Sequence, residues 1–170
     1  MPETTDDPRV GPVRILAVCL GNVCRSPAAE ALIHRAAATR GVSVEVDSAG
    51  TSVRRPGRPA NRRMRRAAAR WDLELASRTR ELVAGDLDDF DLVVVMDSHN
   101  LAAVAAMKAT HGGRAQVRLL RSFDRAATGS DVPDPFRAPV AFHASVLAGM
   151  APAIEGVVEW AVRTTSPVAT

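Results

Sequence analysis

An apolar run over residues 13–20 leads directly into a short polar loop, and an alanine-rich run follows that loop. The junction has the sequence Cys19-Leu20-Gly21-Asn22-Val23-Cys24-Arg25-Ser26-Pro27. This order predicts a buried strand, a tight turn and the start of a helix. Backbone N–H groups in such a turn point inward, and the helix end adds partial positive charge. The junction therefore predicts an anion-binding loop that fits a tetrahedral group, phosphate above all.

The residue types in the loop suit phosphate chemistry. The loop, the helix end and Arg25 favour the thiolate form of Cys19, which is the nucleophilic form of cysteine. The planar guanidinium of Arg25 can hold two phosphate oxygens at once. Gly21 permits close backbone approach and unusual dihedral angles, and Asn22 tolerates a left-handed conformation. Ser26 can cap the helix that follows, and its hydroxyl can donate to the sulfur. We expect phosphate to be bound by Leu20, Gly21, Asn22, Val23, Cys24, Arg25 and Ser26.

Strand and helix patterns alternate along the rest of the chain. Strands are predicted at 13–19, 42–46, 92–96 and 116–120, and helices at 28–40, 59–71, 98–107 and 139–163. Ser98 is the expected cap of the third helix, and Pro152 is expected to kink the last. Such alternation predicts an α/β fold, an open four-stranded parallel sheet with helices on both faces. Ligands bind at the carboxyl ends of these strands, where Cys19, Ser48 and Asp97 are expected to gather.

Composition sets the domain organisation and the expected surroundings of the chain. The 170 residues suit one folded domain over 13–163, with a disordered tail at 1–12 and a loose tail at 164–170. The longest apolar run, 15–20, is too short for a membrane span, and no signal peptide is recognisable, so no membrane partner is expected. Both cysteines lie in the loop, which excludes a disulfide framework. A thiolate nucleophile favours the reducing cytoplasm.

Eight arginines fall between Arg54 and Arg70, in a chain with a formal net charge of +3. Three interpretations are open: a nucleic-acid surface, a solvated helix face, or a border of the active site that attracts anionic substrates. No aromatic residue is interleaved with these arginines to stack on bases, which favours the solvated face over nucleic-acid binding.

The loop motif resembles that of the low-molecular-weight protein tyrosine phosphatases. The Asp134-Pro135 pair resembles the family's later Asp-Pro motif, and segments 47–51 and 96–101 resemble its stretches after the second and third strands. The resemblance covers about 13–163 and implies a catalytic domain that hydrolyses phosphotyrosine or other aryl phosphates without metal or cofactor. It implies a phosphocysteine on Cys19, with Asp134, rather than Asp131, as general acid and base. Loop support is expected from Ser48, Asp97 and Arg80.

Three positions depart from the family pattern. Arg54, with Arg55 beside it, occupies the place of an aromatic wall residue, and Phe136 stands where tyrosine is usual. Ser77 replaces a histidine that supports the loop in many relatives. A phenol ring could still stack on Phe136 and on the guanidinium of Arg54. The resemblance also suggests that Cys24 forms a disulfide with Cys19, which would make the enzyme redox-sensitive.

The same loop is compatible with three alternative functions. An arsenate reductase of the same fold would need an external thiol, because no cysteine lies outside the loop. A phosphoarginine phosphatase is disfavoured by Val23, where such relatives carry threonine. A phosphate-binding or nucleic-acid-binding module is disfavoured by the joint presence of Cys19, Arg25 and Asp134. The scattered histidines, His143 among them, are expected at the surface or in packing. The sequence makes no prediction of the oligomeric state.

Overall fold

The structure is a computed structural model that describes residues 11–165. The predicted tails therefore lie almost wholly outside the described residues, in segments 1–10 and 166–170. The elements in chain order are β1 Val13–Cys19, α1 Arg25–Thr39, β2 Val44–Gly50, α2 Arg62–Ala69, α3 Asp86–Asp89, β3 Leu92–Val95, α4 Ser98–His111, β4 Gln116–Leu119, a 3₁₀ helix Leu120–Phe123, and α5 Val140–Thr165.

The four strands form one parallel sheet in the order β2-β1-β3-β4, which confirms the predicted fold class. Strand β1 is central and pairs with β2 from Val13↔Val44 to Cys19↔Gly50. On its other side β1 pairs with β3, ending at Val18↔Val95. The carboxyl ends of these three strands therefore meet at one edge, where Cys19 begins the loop.

Helices cover both faces of the sheet, as predicted. Side chains of β1 alternate between the faces, because successive residues of a strand point in opposite directions. Ile15 and Ala17 join a core with α1, α2 and α5, and partly buried Trp71 and Trp160 pack against this core. Leu16 and Val18 join a second core with residues of α3 and α4. Buried apolar side chains on both faces explain why β1 has no polar alternation.

Helix α5 runs without interruption through Pro152, which lies on its exposed side. The predicted kink therefore does not divide the helix. By length and apolar composition alone, α5 is the one helix among the described residues that could cross a membrane. In this fold, however, its apolar residues Leu147, Ile154 and Val157 are buried in the domain core, and this burial accounts for the apolar composition of α5.

Two predicted helix caps and the predicted end of one strand are wrong. Which residue caps a helix depends on local geometry that the sequence does not show. Helix α1 begins at Arg25, so Ser26 lies inside the first turn and cannot be its cap. Helix α4 is capped by Asp97, whose carboxylate accepts the N–H of Asn100 at 2.8 Å, and not by Ser98. Ser48 lies within β2 rather than after it.

Further differences concern short elements. Helix α2 begins at Arg62 instead of residue 59, because the side chain of Asn61 accepts the N–H groups of Arg63 and Met64. Helix α3 and the 3₁₀ helix were not predicted from the sequence. Each has four residues, which is too short to show a periodic pattern.

Candidate active site

The loop between β1 and α1 adopts a conformation that surrounds one thiol. Asn22 has a φ of 54°, the left-handed conformation expected of it. Gly21 does not have a left-handed φ, so the unusual dihedral expected there belongs to Asn22 instead. Cys19 is buried, and its Sγ lies 3.1 Å from the Oγ of Ser26. The thiol of Cys19 therefore lies beside the first turn of α1, within hydrogen-bond distance of the Ser26 hydroxyl.

A buried polar network holds Asn22 in this conformation. Its Nδ2 donates to the hydroxyl of Ser26 at 2.8 Å and to that of Ser48 at 3.0 Å. Its Oδ1 accepts the backbone N–H of Arg80 at 2.9 Å. The Ser48 hydroxyl in turn donates to Glu30 at 2.5 Å. Burial raises the pKa of Glu30, although hydrogen bonds from neighbouring hydroxyls oppose that shift. Three segments of the chain thus fix one loop residue.

Arg25 is oriented by a carboxylate below the cleft. Its Nη1 donates to Asp97 at 2.7 Å and to the carbonyl of Val132 at 3.0 Å, and its side chain is only 3% exposed. Burial alone would raise the pKa of Asp97, but the N–H of Asn100 and the Arg25 guanidinium together hold it below its usual value. Asp97 therefore remains a carboxylate that keeps the guanidinium directed at the loop.

Arg80 supports the loop through its backbone, while its side chain serves another purpose. The guanidinium donates to Asp47 at 2.9 Å and to both oxygens of Asp86 at 3.0 and 3.1 Å. This network ties the segment after α2 to β2 and α3. The backbone N–H of Arg80 is thereby held at a fixed position beside Asn22.

The two candidate acids occupy different positions. Asp134 lines the cleft, is about half exposed, and has its Oδ2 3.6 Å from Nη2 of Arg25. Asp131 instead accepts the backbone N–H of Ser98 at 3.0 Å and lies near its hydroxyl at the start of α4. Only Asp134 of the two therefore faces the space above Cys19.

The cleft above the loop has a volume of about 680 Å³. The residues that sequence analysis placed on the substrate wall, Arg54, Arg55 and Phe136, all line it. Phe136 is 48% exposed, so its ring is available to a planar group. The cleft is further lined by Leu20, Gly21, Val23, Ser52, Arg58 and Arg137.

Cys24 lies in the same loop but in a different environment from Cys19. It is buried, and its Sγ is 3.9 Å from Nε2 of His143, which is itself fully buried in α5. Burial, with the nearby Cys19 and Asp134, raises the pKa of Cys24 to about 12. Cys24 is therefore a protonated thiol near neutral pH. His143 is a packing residue, which is one of the two positions expected for it.

The sequence model of the low molecular weight phosphotyrosine protein phosphatases matches residues 14–161. The chain belongs to this family. A low molecular weight protein-tyrosine-phosphatase of Streptomyces coelicolor is 39% identical over 127 residues, which cover 72% of this chain and 77% of that protein. The YfkJ phosphatase of Bacillus subtilis is 35% identical over 130 residues, covering 73% and 81% of the two chains.

Solved structures agree with this assignment. The crystal structure of YfkJ from Bacillus subtilis superimposes with a TM-score of 0.85 and 27% identity, covering 93% of this chain and 99% of that one. A Drosophila arginine phosphatase superimposes with a TM-score of 0.81 and 26% identity, over 86% and 96% of the two chains. The protein is accordingly a protein phosphatase, and the family expected from the loop motif is confirmed.

Several groups at the site of this phosphatase were not predicted from the sequence. Glu30 anchors Ser48, and the carbonyl of Val132 accepts from Arg25. Arg58 and Arg137 join the cleft lining. One signal was present for Glu30, which lies one helical turn after Ser26 on the buried side of α1. The acceptor at Val132 is a backbone carbonyl, so its residue type gives no indication of the contact with Arg25.

Proposed function

We propose that this phosphatase hydrolyses phosphotyrosine, and aryl phosphate monoesters generally, through a phosphocysteine on Cys19. The observation that carries the proposal is that Cys19, Arg25 and Asp134 line one cleft. The half-exposed ring of Phe136 in the same cleft offers a stacking surface to an aromatic leaving group.

In the first step the Cys19 thiolate attacks phosphorus, and the bond from phosphorus to the ester oxygen breaks. Arg25 and the loop N–H groups hold the non-bridging oxygens as charge moves toward the leaving oxygen. Asp134 gives its proton to that oxygen, so that a neutral phenol departs. The guanidinium direction fixed by Asp97 at 2.7 Å supports this assignment of Arg25.

In the second step water attacks phosphorus and the P–S bond breaks. Asp134, now a carboxylate, accepts the proton of that water. The sulfur leaves as a thiolate, and the hydroxyl of Ser26 at 3.1 Å is placed to donate to it. We propose that Ser48, the backbone of Arg80 and Glu30 serve this step indirectly, by holding Asn22 and hence the loop. A reducing compartment such as the cytoplasm would keep both free cysteines available.

Phosphoarginine hydrolysis is the second candidate, because the YwlE arginine phosphatase superimposes with a TM-score of 0.79 and 26% identity. Val23 lines the cleft, and its side chain has no hydroxyl. Four arginines besides Arg25 line the cleft, and they disfavour a substrate whose phosphate is attached to a guanidino group. We therefore rank phosphotyrosine first.

The test compares turnover of an aryl phosphate, a phosphoarginine substrate and arsenate by the wild type and three variants. Cys19→Ser should abolish aryl phosphate turnover while the protein stays folded. Asp134→Asn should slow it by about 10²–10⁴-fold, with a smaller loss for substrates whose leaving group needs no proton. The matched control is Asp131→Asn, whose carboxylate is engaged by Ser98 outside the cleft. Faster phosphoarginine than aryl phosphate turnover would contradict the ranking.

A further inference from the structure

Four exposed arginines border the mouth of the cleft, and we refer to Arg54, Arg55, Arg58 and Arg137 as the rim arginines. They come from two segments, the loop after β2 and the segment that follows Asp134. Arg25 and the loop below are committed to the phosphate itself. The rim arginines therefore present positive charge to whatever surrounds the phosphate on a bound substrate.

The backbone that carries the first three rim arginines is fixed. The hydroxyl of Thr79 donates to the carbonyl of Arg55 at 2.6 Å and accepts the N–H of Arg58 at 2.9 Å. The N–H of Thr79 also donates to the carbonyl of Arg58 at 2.8 Å. The Arg137 carbonyl accepts from the guanidinium of Arg63 at 3.2 Å. The rim is thus held in place through main-chain atoms, and its guanidinium groups are not used for that purpose.

Within residues 11–165, no rim arginine forms an ion pair with a carboxylate. Arginines at other positions do form such pairs: Arg25 with Asp97, Arg80 with Asp86, and Arg114 with Asp91 at 2.6 Å. Unpaired like charges in one cleft repel each other, and an anionic partner relieves that repulsion.

We propose that the rim arginines select phosphoproteins in which anionic side chains flank the phosphotyrosine. This inference rests on the proposed function. The flanking charge is carried by a carboxylate or by a second phosphate, and both fit the planar guanidinium fork. Each exposed pair changes affinity by about 1.4- to 5-fold, so two pairs together contribute about 2- to 30-fold. Steering of the substrate toward the cleft adds a dependence on ionic strength.

A peptide fits this surface better than a nucleic acid does. Single-stranded nucleic acids bind to aromatic side chains on which successive bases stack. The aromatic residue that lines this cleft is Phe136, and it stands beside the site proposed for the phenol ring. Among the described residues, the cleft thus offers the positive charge of the rim arginines but no series of rings on which bases could stack. An acidic polypeptide needs only the charge.

The test uses phosphotyrosine peptides of equal length, flanked by glutamate, by glutamine, or by glutamine with one adjacent phosphoserine. For the wild type at low salt, we expect kcat/KM to be about 2- to 30-fold higher for the glutamate than for the glutamine peptide. The phosphoserine peptide shows whether a second phosphate has the same effect. Arg54→Gln/Arg55→Gln should bring the glutamate-to-glutamine ratio toward one, and added salt should do the same in the wild type.

The matched control is Arg62→Gln/Arg66→Gln, which removes the same charge from exposed positions of α2 outside the cleft. It should keep the wild-type ratio. Turnover of all peptides at equal rates would overturn this inference alone, whereas turnover of none would overturn the proposed function and the inference with it. Stronger competition by single-stranded RNA than by the acidic peptide would also overturn it, in favour of a nucleic-acid surface.

Discussion

Asp97 performs two separable tasks, and the substitution Asp97→Asn removes only one of them. One carboxylate oxygen accepts the N–H of Asn100 at 2.8 Å and caps α4. The other accepts from the guanidinium of Arg25 at 2.7 Å. Asparagine caps helices about as well as aspartate. In the variant, however, an amide group faces Arg25 in place of a negative charge. The substitution therefore isolates the contribution of the ion pair.

The expected loss of stability follows from burial. The side chain of Arg25 is 3% exposed and that of Asp97 is 17% exposed, so the pair is largely but not fully removed from water. Breaking a fully buried pair by removing one partner costs about 3–5 kcal/mol. Because Arg25 keeps the carbonyl of Val132, we expect the smaller loss of a charged hydrogen bond, about 1.5–3 kcal/mol in the free energy of unfolding. Asp97→Ala should lose about 1 kcal/mol more, through the cap.

The pH dependence has a definite sign. The pKa of Asp97 in the folded protein lies below its usual value, so its contribution to stability is fully present above the unfolded pKa of about 3.9. That contribution disappears as the pH falls through the lower, folded value. The Asp97→Asn variant cannot titrate at this position. Its deficit relative to the wild type should therefore be constant near neutral pH and shrink in acid.

Urea unfolding over a pH series measures this deficit in stability. Initial rates with an aryl phosphate measure the effect on Arg25. We expect KM to rise and kcat to fall, because the guanidinium of Arg25 then lacks the ion pair with Asp97 that orients it. Asp131→Asn serves as control, since the carboxylate of Asp131 accepts from Ser98 at the start of α4 rather than from Arg25. A deficit below about 0.5 kcal/mol, or one that is unchanged in acid, would refute the assigned role of the ion pair.

Three further predictions concern the loop. A Cβ on Gly50 would lie 2.7 Å from the carbonyl oxygen of Leu20 and 2.9 Å from the N atom of Asn22, so Gly50→Ala should displace the loop. We expect kcat/KM to fall by about 10²-fold, with a smaller effect on unfolding; unchanged kinetics would show that the loop tolerates the shift. Ser48→Ala removes one hydrogen-bond acceptor of Asn22, and we expect the free energy of unfolding to fall by about 1–3 kcal/mol and kcat to fall with it. Unchanged stability and kcat would show that the network around Asn22 is not needed. After peroxide and dithiol treatment, wild type should recover more activity than Cys24→Ser. Because the pKa of Cys24 is about 12, this advantage should grow as the pH rises; equal recovery at every pH contradicts a protective disulfide.

The central strand, the loop and the parallel character of the sheet were predictable because each leaves a pattern in the sequence. The apolar run of β1 and the phosphate-loop motif lie within one short segment, and alternation of strands and helices indicates a parallel sheet. Gly21 and Asn22 were the two residues expected to permit unusual dihedral angles, and of these Asn22 has the left-handed conformation, which few residue types tolerate.

Contacts between distant segments were beyond the sequence. The carboxylates of Asp97 and Asp131 lie at the same end of α4, yet of the two only that of Asp97 accepts a hydrogen bond from Arg25. The spacing of Glu30 from Ser26 places its carboxylate near the loop, but it does not reveal that Ser48 is the donor. Nothing in the local sequence reveals that Arg137 shares a cleft with Arg54. Such contacts depend on how helices pack on the sheet, which the periodic pattern of a single helix does not specify.

The positions of the two tryptophans determine what optical spectroscopy can report. Trp71 and Trp160 pack against the core formed with α1, α2 and α5, neither lines the cleft, and the chain contains no tyrosine. Intrinsic fluorescence should therefore respond to global unfolding and remain nearly constant when an oxyanion binds in the loop. A variant that loses turnover with an unchanged emission spectrum has lost a reacting group or the geometry of its loop, and one whose spectrum shifts to the red has lost the packing of its core.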